Sequence, residues 1–277
     1  MDEPELVLSD DPRPHVRRIT LNRPEKRNAL SNRLRAQLFE QLRRADLDDD
    51  VSVIVLRGAG PCWSAGYDLA QDQSEPLPRH STRRSGHWPR HLVEGWMELW
   101  DYDTPVIGQV HGYCLAGGTE LAMACDLVYV ADDAVIGYPA VRNMTPPDMV
   151  WQPWILGMRR GMEAVLTGDS ITGIEAAELG FANRSFPRQE LDGRVLDIAE
   201  RIAKIPLNNL ALNKRAVHRA MEQMGIRTSF RVTTDTQTIG GMQPALLDLK
   251  ARLREGVTAA LQERDAPFHD YRTSGAT

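Results

Sequence analysis

A strand-like run, Pro105 to Val110, passes through His111-Gly112-Tyr113-Cys114-Leu115-Ala116-Gly117-Gly118-Thr119-Glu120 into a small-residue helix expected over Leu121 to Cys125. Two glycines at a helix entrance leave bare backbone N–H groups open to close approach. The positive end of the helix dipole favours negative charge developing at that point. Glu120 follows Gly117 by three residues, so it lies on the same face about one turn on. A donor for an oxyanion and an acid thus stand side by side. A glycine-lined packing contact with an ordinary surface glutamate is the competing reading of these residues.

This join is one of several strand-to-helix alternations in the first two thirds of the chain. Strands are expected near Leu6–Leu8, Val16–Leu21, Val51–Leu56, Val106–Val110, Leu127–Val130 and Asn183–Phe186. The helix after Asn28 carries Leu34, Leu38 and Leu42 at four-residue spacing, one buried stripe, with Ser31 as its cap. The alternation points to an α/β core with parallel strands. From about Asp192 the pattern turns helical, with Val195, Ile198, Ile202, Leu212, Val217 and Met221 at roughly helical spacing. The division expected is a core over residues 1–191 and a helical region over 192–277.

Two further segments sharpen the reading. Gly60-Pro61-Cys62-Trp63-Ser64-Ala65-Gly66-Tyr67-Asp68-Leu69 follows the apolar Val51 to Leu56 run, and Val16-Arg17-Arg18-Ile19-Thr20-Leu21-Asn22-Arg23-Pro24-Glu25-Lys26-Arg27-Asn28-Ala29-Leu30 opens the core. In order and spacing, these segments and the glycine turn resemble the crotonase (enoyl-CoA hydratase/isomerase) superfamily. The likeness continues through Leu166-Thr167-Gly168-Asp169 and Ala176-Ala177-Glu178-Leu179-Gly180 and covers about Val16 to Phe186.

The resemblance implies a ββα spiral and an acyl-CoA thioester substrate, with coenzyme A as part of the substrate and no separate cofactor. It implies that the thioester oxygen is held as an enolate between the backbone N–H groups of Tyr67 and Gly117. Ala65, Gly66, Asp68 and Leu69 would line the path of the CoA moiety, with Tyr113 and Gly118 beside it and Lys26 or Arg27 near its phosphates. For the two cations a solvated charge is the plainer alternative. A homotrimer or dimer of trimers is implied as well, with the helical region near the contact.

The hydratases of this family use two glutamates around one water. The first matches Glu120, but the place of the second, in Tyr138-Pro139-Ala140-Val141, is taken by Ala140. A methyl group moves no proton, and a missing acid–base partner typically costs ~10²–10⁴-fold. Asp148, eight residues on in Thr145-Pro146-Pro147-Asp148-Met149, resembles the catalytic Asp of the family's dienoyl-CoA isomerases. Its competing role is a helix cap before Met149-Val150-Trp151-Gln152. Trp151 and Trp154 either widen an acyl pocket or belong to the core.

Composition excludes other classes. Of 277 residues, 42% are hydrophobic and 26% charged, with a net charge of −5 that gives no footing for nucleic acid. Three cysteines, Cys62, Cys114 and Cys125, make a poor disulfide framework, and Met1 to Glu5 lacks the parts of a targeting peptide. A reduced, cytoplasmic protein without a membrane span is expected. Between Gln71 and His91 the chain is polar and arginine-rich, and reads as a mobile surface segment beside the site. Its His80, His87 and His91 lack the companions of a metal site, so no metal is expected.

Three functions follow. The leading one is hydration or double-bond isomerisation of an enoyl-CoA, with Glu120 and Asp148 as the carboxyl groups. A second is decarboxylation of a malonyl-type CoA, or hydrolysis of a C–C bond, on the same scaffold. A third is an acyl-CoA-binding protein that has lost catalysis, which Ala140 motivates.

Overall fold

The computed structural model describes residues 5–70, 87–144 and 146–268. Nine strands and eleven α-helices occur among them. Strands β1 (Val7–Arg13), β2 (Val16–Leu21), β3 (Val53–Gly58), β4 (Val106–Val110), β6 (Leu127–Ala131) and β9 (Arg184–Phe186) form a six-stranded sheet in the order β1-β2-β3-β4-β6-β9. The β1–β2 pair is antiparallel, and every other pairing in this sheet is parallel. A smaller sheet holds β5 (Tyr113–Leu115), β7 (Val135–Gly137) and β8 (Ile171–Thr172). The chain alternates between the sheets: β4 enters the first and β5 the second, then β6 the first and β7 the second. This is the expected ββα spiral.

The central strands read as unbroken apolar runs because both sheet faces are covered. Val53, Ile54, Val55, Leu56, Val106, Ile107 and Val110 are all fully buried. Helix α1 (Asn32–Asp46) packs Leu34, Leu38 and Leu42 inward. Its Ser31 cap accepts from the Leu34 N–H at 3.2 Å, an interaction whose loss typically costs about 1 kcal/mol. Several elements differ from the sequence reading: β1 runs Val7–Arg13 rather than Leu6–Leu8, β6 and β9 shift by one residue at one end, and two differences lie nearer the site. Strand β3 starts at Val53, since the Ser52 and Val53 N–H groups both reach back to the His15 carbonyl. Helix α3 (Gly117–Ala124) starts four residues early and takes both glycines into its first turn.

Helix α2 (His87–Met97) accounts for the end of the arginine-rich segment as helix rather than loop. The rest of that segment, 71–86 with His80, lies outside the described residues, as do the His87 and His91 side chains. After β7 come α4 (Gln152–Ile155), α5 (Gly157–Thr167) and α6 (Gly173–Glu178). The helical third holds α7 (Arg188–Ala203), α8 (Leu207–Gln223), α9 (Ile226–Gly240), α10 (Pro244–Glu255) and α11 (Val257–Asp265). The 191/192 division falls inside α7, which buries Leu191, Val195, Leu196 and Ala199 in the main core against β3. No helix among the described residues is long and apolar enough to cross a membrane. Cys62, Cys114 and Cys125 are buried free thiols.

Candidate active site

Backbone pairing brings the three sequence segments together. Leu30 bridges Tyr67, and Ser64 bridges Cys114. The Ala65 N–H donates to the Arg27 carbonyl at 2.9 Å, tying the Lys26-Arg27 turn to the Ala65–Leu69 loop. Leu30 donates to the Gly66 carbonyl and accepts from the Asp68 N–H. In such a parallel bridge the N–H of the intervening Tyr67 points away from Leu30. A Cβ on Gly66 would lie 3.2 Å from the Gly117 nitrogen, and the φ of +98° there suits glycine alone. Tyr67 and Gly117 are in contact, and neither N–H group is bonded to a protein acceptor among the described residues.

Close packing fixes this arrangement. The Tyr67 ring lies flat on Gly117, where a Cβ would come within 2.6 Å of it. Ala116, at the helix N-cap, holds φ at +48°, a strained value for a residue with a side chain. The Trp63 indole N–H donates to the Gly118 carbonyl at 2.9 Å. Asp68 is bound to Arg23 and accepts from the Ala70 N–H, which sets the loop that carries Leu69. Lys26 and Arg27 are exposed, and the Arg27 guanidinium lies 5.6 Å over the Tyr113 ring.

Glu120 is completely buried, so it is no ordinary surface glutamate. Its Oε2 accepts from the Tyr67 hydroxyl at 2.5 Å, and its Oε1 from the Tyr138 hydroxyl at 3.1 Å and the Met149 N–H at 3.3 Å. The Trp96 indole N–H donates to the Tyr67 oxygen at 2.9 Å, which leaves the phenol proton for Glu120. Burial raises the Glu120 carboxyl above its ordinary range, while bonds from Tyr67, Met149, Tyr138 and the Asp148 backbone pull it back.

Asp148 does not cap a helix. Helix α4 begins at Gln152 behind Trp151, with no side-chain cap. The Asp148 side chain is instead buried at 2% exposure. Its Oδ2 accepts from Gln237 Nε2 of α9 at 3.3 Å, its carbonyl accepts from Thr233 Oγ1 at 2.9 Å, and its Oδ1 has no partner among the described residues. Burial, and then the Glu120 charge, push its carboxyl well above the usual range, with Arg35 opposing. Ala140 is half-buried in the 3-10 turn Pro139–Arg142. Trp151 belongs to the core: it is 3% exposed, bonds Thr119 Oγ1 at 3.0 Å and packs on Phe181.

Four residues of this cluster had no role in the sequence reading: Tyr138, Trp96, Gln237 and Arg35. Arg35 carried a readable signal. It lies three residues before Leu38 and seven before Leu42, on the buried stripe of α1. A cation on that face asks for a buried partner.

Two buried carboxyl groups, Glu120 and Asp148, both held above their ordinary range, thus stand near the glycine-led start of α3. The enoyl-CoA hydratase/isomerase family model matches residues 13–271, and the chain belongs to that family. It is similar to the solved enoyl-CoA hydratase of Mycobacterium smegmatis, at 34% identity and a TM-score of 0.87 over 97% of this chain and 96% of that one. It is 30% identical to the Dictyostelium discoideum protein named "Probable enoyl-CoA hydratase, mitochondrial", over 91% of this chain and 87% of that protein. It is 32% identical to the hydroxycinnamoyl-CoA hydratase-lyase of Pseudomonas fluorescens, over 66% and 68% of the two chains.

Proposed function

We propose that this chain transfers protons on an enoyl-CoA thioester through an enolate, with double-bond isomerisation as the reaction the site supports best. The buried Glu120–Asp148 pair carries the reading. Hydrogen bonds from Tyr67, Tyr138 and Met149 favour the Glu120 anion, so Glu120 is the base at the α carbon. Asp148, whose buried carboxyl accepts from Gln237 alone among the described residues and is raised by burial, holds a proton and returns it further along the acyl chain. The Tyr67 and Gly117 N–H groups receive the thioester oxygen as charge builds on it. One such donor is typically worth ~3 kcal/mol in the transition state. The site begins and ends with one proton on the pair, as a shift of a double bond requires.

Hydration is the second reading, since the same pair could flank a water. Ala140 counts against it, because it leaves the usual second position without a carboxyl group. Exposed Leu212, Val217 and Ile239 on the C-terminal helices, with Met224 and Met242 in the turns between them, are available for the trimer or dimer-of-trimers contact expected of the family. A cytoplasmic location stays a proposal on the same footing.

A panel of 2-enoyl-, 3-enoyl-, dienoyl- and malonyl-type CoA thioesters, read by mass spectrometry, tests the reaction. Conversion of a 3-enoyl-CoA without gain of water is expected, and E120Q should lower it by ~10²-fold or more. Release of CO₂ from a malonyl-type CoA, or tight binding of every member with no turnover, would overturn the proposal.

A further inference from the structure

Arg35 is 1% exposed, in the middle of the core. Its Nη2 donates to Asn32 Oδ1 at 2.5 Å, while Nε and Nη1 have no acceptor among the described residues. The guanidinium lies 5.4 Å over the Tyr67 ring, the ring whose hydroxyl binds Glu120. A buried cation without a countercharge is unstable unless its field is answered nearby. Tyr67, Asp148 and Glu120 are the groups set against it; with the Tyr67 phenol neutral, the answering charges are the two carboxyl groups, and Asp148 Oδ1 has no hydrogen-bond donor among the described residues.

We propose that Arg35 is a positioning residue that holds the Glu120–Asp148 pair at a single negative charge, so that one carboxyl group is a base while the other keeps its proton. The inference rests on the carboxyl pair proposed above as the proton-transfer site. Three charge states are open to the pair. With both groups ionised, two like charges share a dry site and outnumber the cation. With both protonated, Arg35 is left as an uncompensated buried charge. One anion and one acid beside one cation give a neutral cluster, the state with the least exposed field.

The other ionisable groups facing the pair are Tyr67 and Tyr138. Burial, and then the charges of Glu120 and Asp148, push both phenols well above their ordinary range, so they stay neutral donors. Arg35 remains the cation of the cluster at neutral pH, since burial lowers it only to about 10. An arginine suits the position better than a lysine, whose ammonium readily loses its charge when buried.

The test reads the charge state directly, without turnover. NMR titration of the side-chain carboxyl carbons in the full-length protein, assigned through E120Q and D148N, follows the pair. In R35Q and R35M the ionisation midpoint of the pair should rise by about one pH unit or more, a tenfold change in proton affinity per unit. In R35K it should return toward the wild-type value below the point where the lysine deprotonates. Midpoints in folded R35Q within a few tenths of a unit of wild type would overturn the proposal. E120Q supplies a test that keeps Arg35 in place: with Glu120 neutral, Asp148 should be ionised at neutral pH as the partner of Arg35. A protonated Asp148 in that variant would overturn it too. Neither readout depends on turnover, so an inactive enzyme with the expected titration would contradict the proposed reaction and leave this inference standing.

Discussion

The side chains of Arg35 and Arg142 are both almost wholly out of solvent, and they are used in opposite ways. The Arg142 side chain, 2% exposed, has an acceptor at each of its three nitrogens. It binds the Thr167 carbonyl at 3.0 Å, Asp169 at 2.8 Å and Asp265 at 3.2 Å, and its guanidinium lies 4.3 Å over the Phe268 ring. Arg264 adds a second cation on Asp265, at 2.7 and 2.8 Å. This cluster fastens the C-terminal end of α11 to the turn that carries Ala140. Arg35 has two nitrogens without an acceptor among the described residues, and it faces two carboxyl groups that burial holds above their ordinary range. A buried charge whose bonds are complete holds two elements together. One whose bonds are incomplete leaves its field free to act on neighbouring protons.

The largest effect that would sharpen this contrast is on stability. R142A should destabilise the fold by about 3 kcal/mol, the low end for breaking a buried pair, because Arg264 still holds Asp265. Denaturant unfolding measures it. A loss under 1 kcal/mol would place Arg142 outside the fastening role and erase the comparison.

A smaller effect is expected at Asp148, and its sign is opposite. The folded state keeps the Asp148 proton above the pH at which an unfolded aspartate, near 4, has lost it. The folded state therefore binds more protons than the unfolded one, and stability falls as pH rises from about 4 toward the folded-state value. D148N removes that penalty. Its stability relative to wild type should grow with pH across this window, by up to about 1.4 kcal/mol per unit. Thermal unfolding at pH 4 to 8 reads it, and a difference that stays flat or narrows would show that Asp148 is not strained in the fold.

Much of the architecture was legible in the residues, and for identifiable reasons. Strands β2 and β4 have the expected bounds, and Ser31 caps α1, because local pattern and chemistry decide those features. Glu120 was legible from its offset to Gly117. Asp148 could not be settled from sequence, since a capping Asp and a buried Asp share the same flanking residues. What separates them is α9, where Thr233 and Gln237 reach Asp148 from 85 and 89 residues away. Spacing says nothing about such a contact. Tyr138 sat unremarked beside Ala140, and its hydroxyl turns toward Glu120 only when β7 pairs with β5.

The central claim is that Glu120 and Asp148 act as one proton-transfer unit beside the Tyr67 and Gly117 N–H groups. Hydrogen exchange into an acyl-CoA in D₂O, followed by mass spectrometry, tests it without prior choice of the final product. The wild-type protein should place deuterium at the α carbon of a saturated or 3-enoyl thioester, and E120Q should slow that exchange by ~10²-fold or more. D148N should retain α exchange while losing delivery of deuterium to the γ carbon. Exchange in E120Q as fast as in wild type would contradict the account.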